Sequence, residues 1–296
     1  MSVVSYLQVG LAAVAWGTWS LFLRPAGVDP RWSSALMLTV VALATAPLLA
    51  RKAARGPLEG PPRAPREWWA IVAMGLFDAA NGGLFFAAMA KTTVAVAVLS
   101  HYLAPLLLAV VAPRVLRTRP QPAAIPLALV ALFGLALVLD PLRGLSPSAA
   151  VGAACGAGSA VFYAANVLIT KRLGGRFSSE EQLVYHAVIS AALLALIAVV
   201  TRAPSPPLAG LVRIGVASVL IGAGAGLAFL YGLRHVPAEH AGMLTFLEPL
   251  TAVVVAVFAF GEQPSRGALV GGLLVVVAGA LSVRARRSTS PPMPSI

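Results

Sequence analysis

Charged side chains are scarce in this chain of 296 residues: 11% are Asp, Glu, Lys or Arg, and only ten residues are acidic. Soluble domains carry about 25% charged and about 45–50% apolar residues. Here 59% of the residues are hydrophobic, and the mean hydropathy is +0.87. Such a chain cannot cover its surface in water. The composition therefore excludes a water-soluble globular protein and indicates a protein that is solvated by lipid.

Cysteine is almost absent as well. The single residue, Cys155, excludes an internal disulfide and says nothing about the redox compartment. The sequence has no Cys/His cluster, no His-Glu-x-x-His motif and no Gly-x4-Gly-Lys-Ser/Thr loop, so we expect neither a metal nor a cofactor. The net charge of +12 does not indicate nucleic acid, because the basic residues lie in short loops between apolar runs.

Long apolar runs are what the chain has in abundance, and each is close to the roughly 20 residues that cross a bilayer. The N-terminus lacks a basic region and the first run lacks a cleavage pattern, so we interpret it as a retained helix and not a signal peptide. Ten spans are predicted, at about 4–23, 33–50, 68–88, 92–113, 122–139, 149–170, 181–201, 208–231, 237–260 and 266–284. The fold class is therefore an all-α membrane protein.

The basic residues predict the orientation. With a cytoplasmic N-terminus, 15 of the 22 Lys and Arg residues fall in inner segments and seven in outer ones. The positive-inside rule then favours cytoplasmic N- and C-termini in a cell (inner) membrane.

An internal repeat divides the chain. Residues 76–139, shifted by 144 positions, match residues 220–283 without a gap, and 16 of 64 positions are identical, including Gly82 with Gly226 and Pro105 with Pro249. Five spans per repeat is an odd number, so the second copy enters the membrane from the opposite side. The repeats are therefore predicted to be inverted, an architecture typical of secondary transporters.

This arrangement resembles the drug/metabolite transporter superfamily, and specifically its EamA-like members. The residues that carry the resemblance are Trp16-Gly17, Leu247-Glu248-Pro249-Leu250, Phe260-Gly261-Glu262, Gly267 and Gly271-Gly272. It implies repeats at 1–143 and 144–285. The composition of the residues after them, rich in proline and serine, predicts a disordered cytoplasmic tail at 286–296. The resemblance also implies a small organic solute, most often an amino acid or related metabolite, that is moved outward. The first repeat has Arg117-Thr118 where the second has Gly261-Glu262, so we assign Glu262 a structural role.

Three ionisable residues lie about halfway along predicted spans, where such groups are costly unless they are functional or paired: Asp78, His101 and Glu248. The repeat partners of Asp78 and Glu248 are Gly222 and Ala104, so the fold does not need a carboxylate at either position. Each carboxylate could bind a substrate amine or exchange a proton, or it could be a helix-packing contact. His101 could relay protons or be a neutral hydrogen-bond donor between helices.

Neighbouring residues complete a predicted central cavity. Asn81 and Phe85 follow Asp78 on one helix face, Thr245 precedes Glu248, and Pro249 opens its helix, with Pro105 as its repeat partner. Gly82 and Gly226 would admit a ligand or a neighbouring helix. The cavities of the resembled family lie between helices 1, 3, 4, 6, 8 and 9, which favours Trp16, Tyr163, Asn166 and Phe229 as further lining residues.

Several polar or glycine-rich patterns are expected to be structural. Gly152-xxx-Gly156, Gly222-xxx-Gly226 and Gly267-xxx-Gly271 are typical of close helix packing. His186 and Glu181 are expected to be solvated at the cytoplasmic interface, where His240 lies near the inner mouth.

The sequence as a whole predicts an inner-membrane secondary transporter that exports amino acids or related small metabolites by alternating access, with proton coupling as an option. Efflux of cationic drugs is the alternative, and an intramembrane enzyme or a non-transporting scaffold is a remote one. The expected partners are a small-molecule substrate and the lipid bilayer, with no nucleic acid. A homodimer through helices 5 and 10, which have few polar residues, is a further option.

Overall fold

The computed structural model describes residues 3–54, 63–140, 148–261 and 265–287, and within these ranges the chain is helical and contains no strand. The helices of the first half are α1 (Val3–Gly17), α2 (Ser20–Leu23), α3 (Pro30–Ala54), α4 (Pro65–Lys91), α5 (Val94–His101), α6 (Ala104–Leu116) and α7 (Ala124–Leu139). Those of the second half are α8 (Ala149–Leu173), α9 (Ser179–Val200), α10 (Leu208–Ala217), α11 (Ala225–Leu233), α12 (Ala238–Thr245), α13 (Leu247–Phe260) and α14 (Arg266–Arg287). A π-helical stretch, Ser218–Gly224, joins α10 to α11.

Eight helical stretches in the described part of the chain are long and apolar enough to cross a membrane, so the protein is a multi-pass membrane protein. They are Val3–Leu23, Pro30–Ala54, Pro65–Lys91, Ala95–Leu116, Ala149–Leu173, Ser179–Val200, Leu208–Leu233 and Ala238–Ala259. The remaining two predicted spans correspond to shorter apolar helices, Ala124–Leu139 and Arg266–Ser282. All ten predicted positions are therefore helical, while ten membrane crossings stay a prediction.

The outer surface of the bundle is apolar. Phe258 is 85% exposed and Leu208 77% exposed, values that would be costly in water. In a bilayer these side chains face acyl chains, and no hydrophobic penalty arises. The exposed surface thus fits the lipid solvent that the composition predicts.

Small residues let the helices approach closely. A Cβ atom added at Gly156 would collide with Ser100 Oγ and lie 3.0 Å from the Ala97 carbonyl oxygen, so α8 packs directly against α5. One added at Gly134 would lie 2.7 Å from the Gly271 carbonyl oxygen, which joins α7 to α14 in the same way. These contacts confirm the packing role predicted for two of the three glycine patterns. In the third, a Cβ atom added at Gly222 would lie 2.5 Å from Val41 Cγ2, so close packing is confirmed there, while Gly226 makes an ordinary contact, 3.5 Å from Leu183.

Two spans are interrupted at their middle. Helix α5 ends at His101 and α6 begins at Ala104, while α12 ends at Thr245 and α13 begins at Leu247. Pro105 and Pro249 follow these breaks, and each lacks the N–H group that would continue the helical hydrogen bonding. Each break lies one turn before its proline. Since positions 101 and 245 are related by the offset of 144, both repeats break at the same place.

The predicted cytoplasmic tail begins inside a helix, because α14 continues to Arg287. The residues beyond it, 288–296, lie outside the described part of the chain, as does Glu262, for which we predicted a structural role.

Candidate functional site

A cavity lies between the two helix breaks. It has a volume of about 20 Å³ and is lined by His101, Tyr102, Ala104, Pro105, Tyr163, Thr245 and Glu248. Five of these seven residues are among those predicted from the sequence to surround or open a central site. Neither Lys nor Arg is among the lining residues.

Glu248 is the acidic group of this cavity. It lies in the first turn of α13, is half-buried, and interacts with the Tyr102 hydroxyl group. That hydroxyl also donates to the Thr245 carbonyl oxygen over 3.3 Å. This carbonyl is the one whose helical partner, the N–H of residue 249, is missing because the residue is proline. Tyr102 therefore satisfies the carbonyl that Pro249 leaves without a helical partner, and its hydroxyl group lies beside the Glu248 carboxyl group.

His101 is held by a hydrogen-bonded chain from two other helices. Its Nδ1 atom lies 2.7 Å from Ser159 Oγ on α8, and Ser159 donates over 2.7 Å to Asn81 Oδ1 on α4. The rings of Phe85, Tyr102 and Tyr163 surround the imidazole, with centroids 5.1, 5.6 and 5.5 Å away. The imidazole consequently has little freedom to turn within the cavity wall.

Asp78 is not among the residues that line the cavity. Its Oδ2 atom lies 3.7 Å from Nδ1 of His186 on α9. Both side chains are largely buried, with 24% and 15% of their area exposed. The structure therefore separates the two mid-span acids: Glu248 faces the cavity, and Asp78 faces a histidine at the α4–α9 contact.

The other predicted residues fall at different distances from the cavity. Trp16 and Phe229 contact each other with ring centroids 5.0 Å apart and planes tilted by 46°, and they pack in an apolar cluster that Tyr163 also contacts. Asn166 lies on the same side of α8 as Tyr163, and its Oδ1 atom is buried without a hydrogen-bond partner among the described residues. A Cβ atom at Gly82 would meet no described atom within 4 Å, so none of the described helices packs there.

Sequence reasoning did not assign Tyr102 and Ser159 to the site. Ser159 precedes Tyr163 by four residues and Asn166 by seven, which places the three on one helical face. That periodicity could have identified Ser159. For Tyr102, the signal in the sequence is a hydroxyl group close to the turn that precedes Pro105. Its repeat partner, Phe246, has no such hydroxyl group.

Ion pairs join the helices at the end of the bundle where α3 ends and α9 begins. Glu180 accepts from Lys52 over 3.1 Å and from the Tyr231 hydroxyl over 2.5 Å. Arg63 lies 2.8 Å from Glu181, which is only 7% exposed. The expectation that Glu181 is solvated is therefore wrong: its charge is neutralised by Arg63, and it also closes a capping box at the start of α9.

The same end contains His240, which is fully buried. Its two ring nitrogens lie 2.8 Å from the Tyr6 hydroxyl and 2.6 Å from Gln121 Oε1. His186, also expected to be solvated, is instead the partner of Asp78 in the interior. Polar residues near this end thus connect helices to one another.

A smaller polar contact fastens the opposite end. The hydrogen bond from Arg31 lowers the pKa of Asp29 to about 2, so the pair stays ionised at physiological pH. Arg31 also donates to the Thr201 carbonyl oxygen over 3.0 Å. The start of α3 is thereby tied to the end of α9.

Comparisons with known proteins extend over nearly the whole chain. Residues 4–140 and 150–284 each match the sequence model of the EamA-like transporter family. An uncharacterized transporter of Archaeoglobus fulgidus is 31% identical over 276 residues, which cover 92% of this chain and 93% of that protein. A crystal structure of another protein is similar with a TM-score of 0.80 at 25% identity, covering 98% of this chain and 100% of the other.

Proposed function

Because the chain belongs to the EamA-like transporter family, we propose that this membrane transporter exports a small amine-bearing metabolite, such as an amino acid, through the cavity at Glu248. The observation that carries the proposal is the cavity itself, where a carboxylate lies beside two helix breaks and neither Lys nor Arg is among the lining residues. The mechanism is alternating access, and a coupling proton is carried by Glu248 or Asp78.

The electrostatics of the cavity suit a zwitterion. Glu248 supplies a negative charge for an ammonium group. Helices α6 and α13 begin at the cavity, and helix N-termini attract carboxylates. Tyr163, Thr245 and the imidazole of His101 add hydrogen-bonding groups. A ligand with one ammonium and one carboxylate group would find a partner for each.

The alternative substrate is a bulky cationic drug. The cavity of about 20 Å³ holds little more than one water molecule, so it must widen for either substrate and its volume does not separate them. Glu248 would attract a lipophilic cation as well, so competition between amino acids and lipophilic cations is the test that separates the two substrates.

Several contacts support inverted repeats that move against each other. Under the offset of 144, the contact of α4 with α8 corresponds to that of α11 with α1, and the contact of α5 with α8 corresponds to that of α12 with α1. The repeat-related residues Tyr102 and Phe246 pack on each other, with centroids 5.4 Å apart. Equivalent residues meet in this way close to a two-fold axis. The cavity next to this contact is where inverted repeats place a substrate.

The ion pairs of Glu180 and Glu181 support a gate. If the positive-inside rule holds, they lie at the cytoplasmic end of an inner-membrane protein and close the cavity from that side. Opening toward the cytoplasm then requires these pairs to separate.

Extracellular metabolite profiling tests the proposal. Cells that overexpress the wild type should accumulate one or a few amino-acid-like metabolites outside, compared with cells carrying an empty vector. An Asp78→Asn variant is compared with Asp140→Asn, which makes the same chemical change at an exposed position. We expect Asp140→Asn to export normally, and an altered pH dependence of export in Asp78→Asn would assign the coupling proton to Asp78. If Asp78→Asn exports like the wild type at every pH, Asp78 is structural; if no metabolite rises with the wild type, the export proposal is wrong.

A further inference from the structure

The hydrogen-bonded chain through Asn81 and Ser159 ends on one atom of His101, and its direction can be deduced. The amide oxygen Asn81 Oδ1 can only accept a hydrogen bond. Ser159 has a single hydroxyl hydrogen and donates it to this oxygen over 2.7 Å. The contact of 2.7 Å between Ser159 Oγ and His101 Nδ1 must then be donated by the histidine.

From this we propose that Asn81 and Ser159 are positioning residues that fix His101 as its Nδ1–H tautomer, so that the unprotonated Nε2 faces the cavity as a hydrogen-bond acceptor for the ammonium group of the ligand. The role toward the ligand rests on the proposed function, whereas the tautomer does not. Neutral histidine has one donor and one acceptor nitrogen, and the partner of one nitrogen determines the other.

The surroundings of the ring keep this atom in place. Phe85, Tyr102 and Tyr163 pack around the imidazole, and the last two are oriented edge-on to it at 81° and 66°. The ring also lines the cavity. With Nδ1 turned toward Ser159, the opposite ring edge, which carries Nε2, is the one left to face the cavity.

The proposal adds a second acceptor to the cavity. Glu248 alone can hold an ammonium group through one or two of its three N–H donors. Nε2 of His101 would accept a hydrogen bond from another of these N–H groups. The Thr245 hydroxyl group already donates its one hydrogen to the Gly242 carbonyl oxygen over 2.7 Å, so toward a ligand it can only accept. A primary ammonium group is thereby favoured over a quaternary one, which has no N–H group to donate.

Nitrogen-15 NMR of histidine-labelled protein in lipid nanodiscs tests the tautomer without any substrate. The chain has four histidines, and the signals that disappear in His101→Gln identify His101. At about pH 8, above the ordinary histidine pKa, we expect the Nδ1 signal of His101 to be that of a protonated nitrogen and the Nε2 signal that of an unprotonated one. A wild-type spectrum with the proton on Nε2 would overturn the proposal.

Two variants and a control test the positioning roles. Ser159→Ala removes the acceptor, and Asn81→Leu frees the serine hydrogen to turn toward Nδ1, so both should move the His101 proton to Nε2. Ser190→Ala makes the same change as Ser159→Ala at a fully buried serine of α9 whose hydroxyl has no described partner, and it should leave the tautomer unchanged. If both Ser159→Ala and Asn81→Leu retain the Nδ1–H form, the inference is wrong. If the tautomer behaves as expected but no metabolite is exported, only the proposed function fails.

Discussion

At the scale of single residues, the main finding is that the two mid-span carboxylates have different neighbours. Glu248 lies in the cavity with Tyr102, while Asp78 lies 3.7 Å from His186 at the contact between two helices. The sequence predicts that both carboxylates lie about halfway across the membrane, but it does not predict the direction in which either side chain points. We therefore assign the ammonium group of the ligand to Glu248 and leave the coupling proton to either residue.

Tyr102 gives the first residue-scale prediction. Tyr102→Phe removes the hydroxyl group that contacts both Glu248 and the Thr245 carbonyl oxygen. The fold should tolerate the change, because Phe occupies the equivalent position, 246, in the second repeat. Without this hydroxyl group the opened turn that carries Glu248 is less well fixed, and the loss of an ordinary hydrogen bond of about 0.5–1.5 kcal/mol predicts that the KM for the exported metabolite rises by about 2- to 12-fold.

Transport kinetics in proteoliposomes measure this change. Tyr185→Phe is the control, since it removes a phenolic hydroxyl from α9, away from the cavity lining. An unchanged KM in Tyr102→Phe would mean that the hydroxyl does not orient Glu248 for the ligand.

At the scale of helices, the interruptions near Pro105 and Pro249 create the cavity. An unbroken helix satisfies its own backbone and has no free helix ends to offer a ligand. The proline residues remove N–H groups, and the breaks expose the beginnings of α6 and α13 next to Glu248. Polar groups at mid-depth are tolerated because they line a cavity and do not face lipid.

Close packing of α8 against α5 holds one side of this cavity, and glycine makes it possible. Gly156→Ala would place a methyl group against Ser100 Oγ and the Ala97 carbonyl oxygen, and we expect a loss of about 1–3 kcal/mol in stability. Gly215→Ala on α10, where a Cβ atom would meet nothing within 4 Å, should gain about 0.5–1 kcal/mol because alanine favours the helix.

Thermal denaturation of both variants in detergent measures the difference. Both variants replace glycine by alanine. If Gly156→Ala loses stability while Gly215→Ala gains it, the loss is due to packing at position 156. If Gly156→Ala is as stable as Gly215→Ala, the α5–α8 contact is looser than the structure indicates.

At the scale of the whole molecule, the positive-inside rule predicts which end faces the cytoplasm. Thr118 and Ser205 are exposed loop residues at opposite predicted sides. In a Cys155→Ser background, which removes the single native cysteine, we expect Ser205→Cys to react with a membrane-impermeant maleimide in intact cells. Thr118→Cys should react only after the cells are permeabilised. The reverse pattern would contradict cytoplasmic termini.

The sequence predicted the architecture well because its signals are periodic and compositional. The lengths of the apolar runs predict the positions of all ten helices. The offset of 144 relates the helix break between His101 and Ala104 to the break between Thr245 and Leu247. Side-chain partners were harder to predict, because they depend on helix rotation and on contacts between distant segments. Asp78 with His186, and Arg63 with Glu181, are separated by more than 100 residues and share no motif. The predicted homodimer through helices 5 and 10 stays a prediction; these helices, α7 and α14, pack on each other.

Efflux from proteoliposomes tests the central claim most directly. Purified protein is reconstituted with the metabolite that profiling identifies, and wild type, Glu248→Gln and Asp140→Asn are compared. Loss of a charged hydrogen bond of about 1.5–3 kcal/mol predicts that Glu248→Gln slows efflux at subsaturating metabolite by about 10- to 100-fold, while Asp140→Asn matches the wild type. If Glu248→Gln releases the metabolite as fast as the wild type, the cavity at Glu248 is not the transport site.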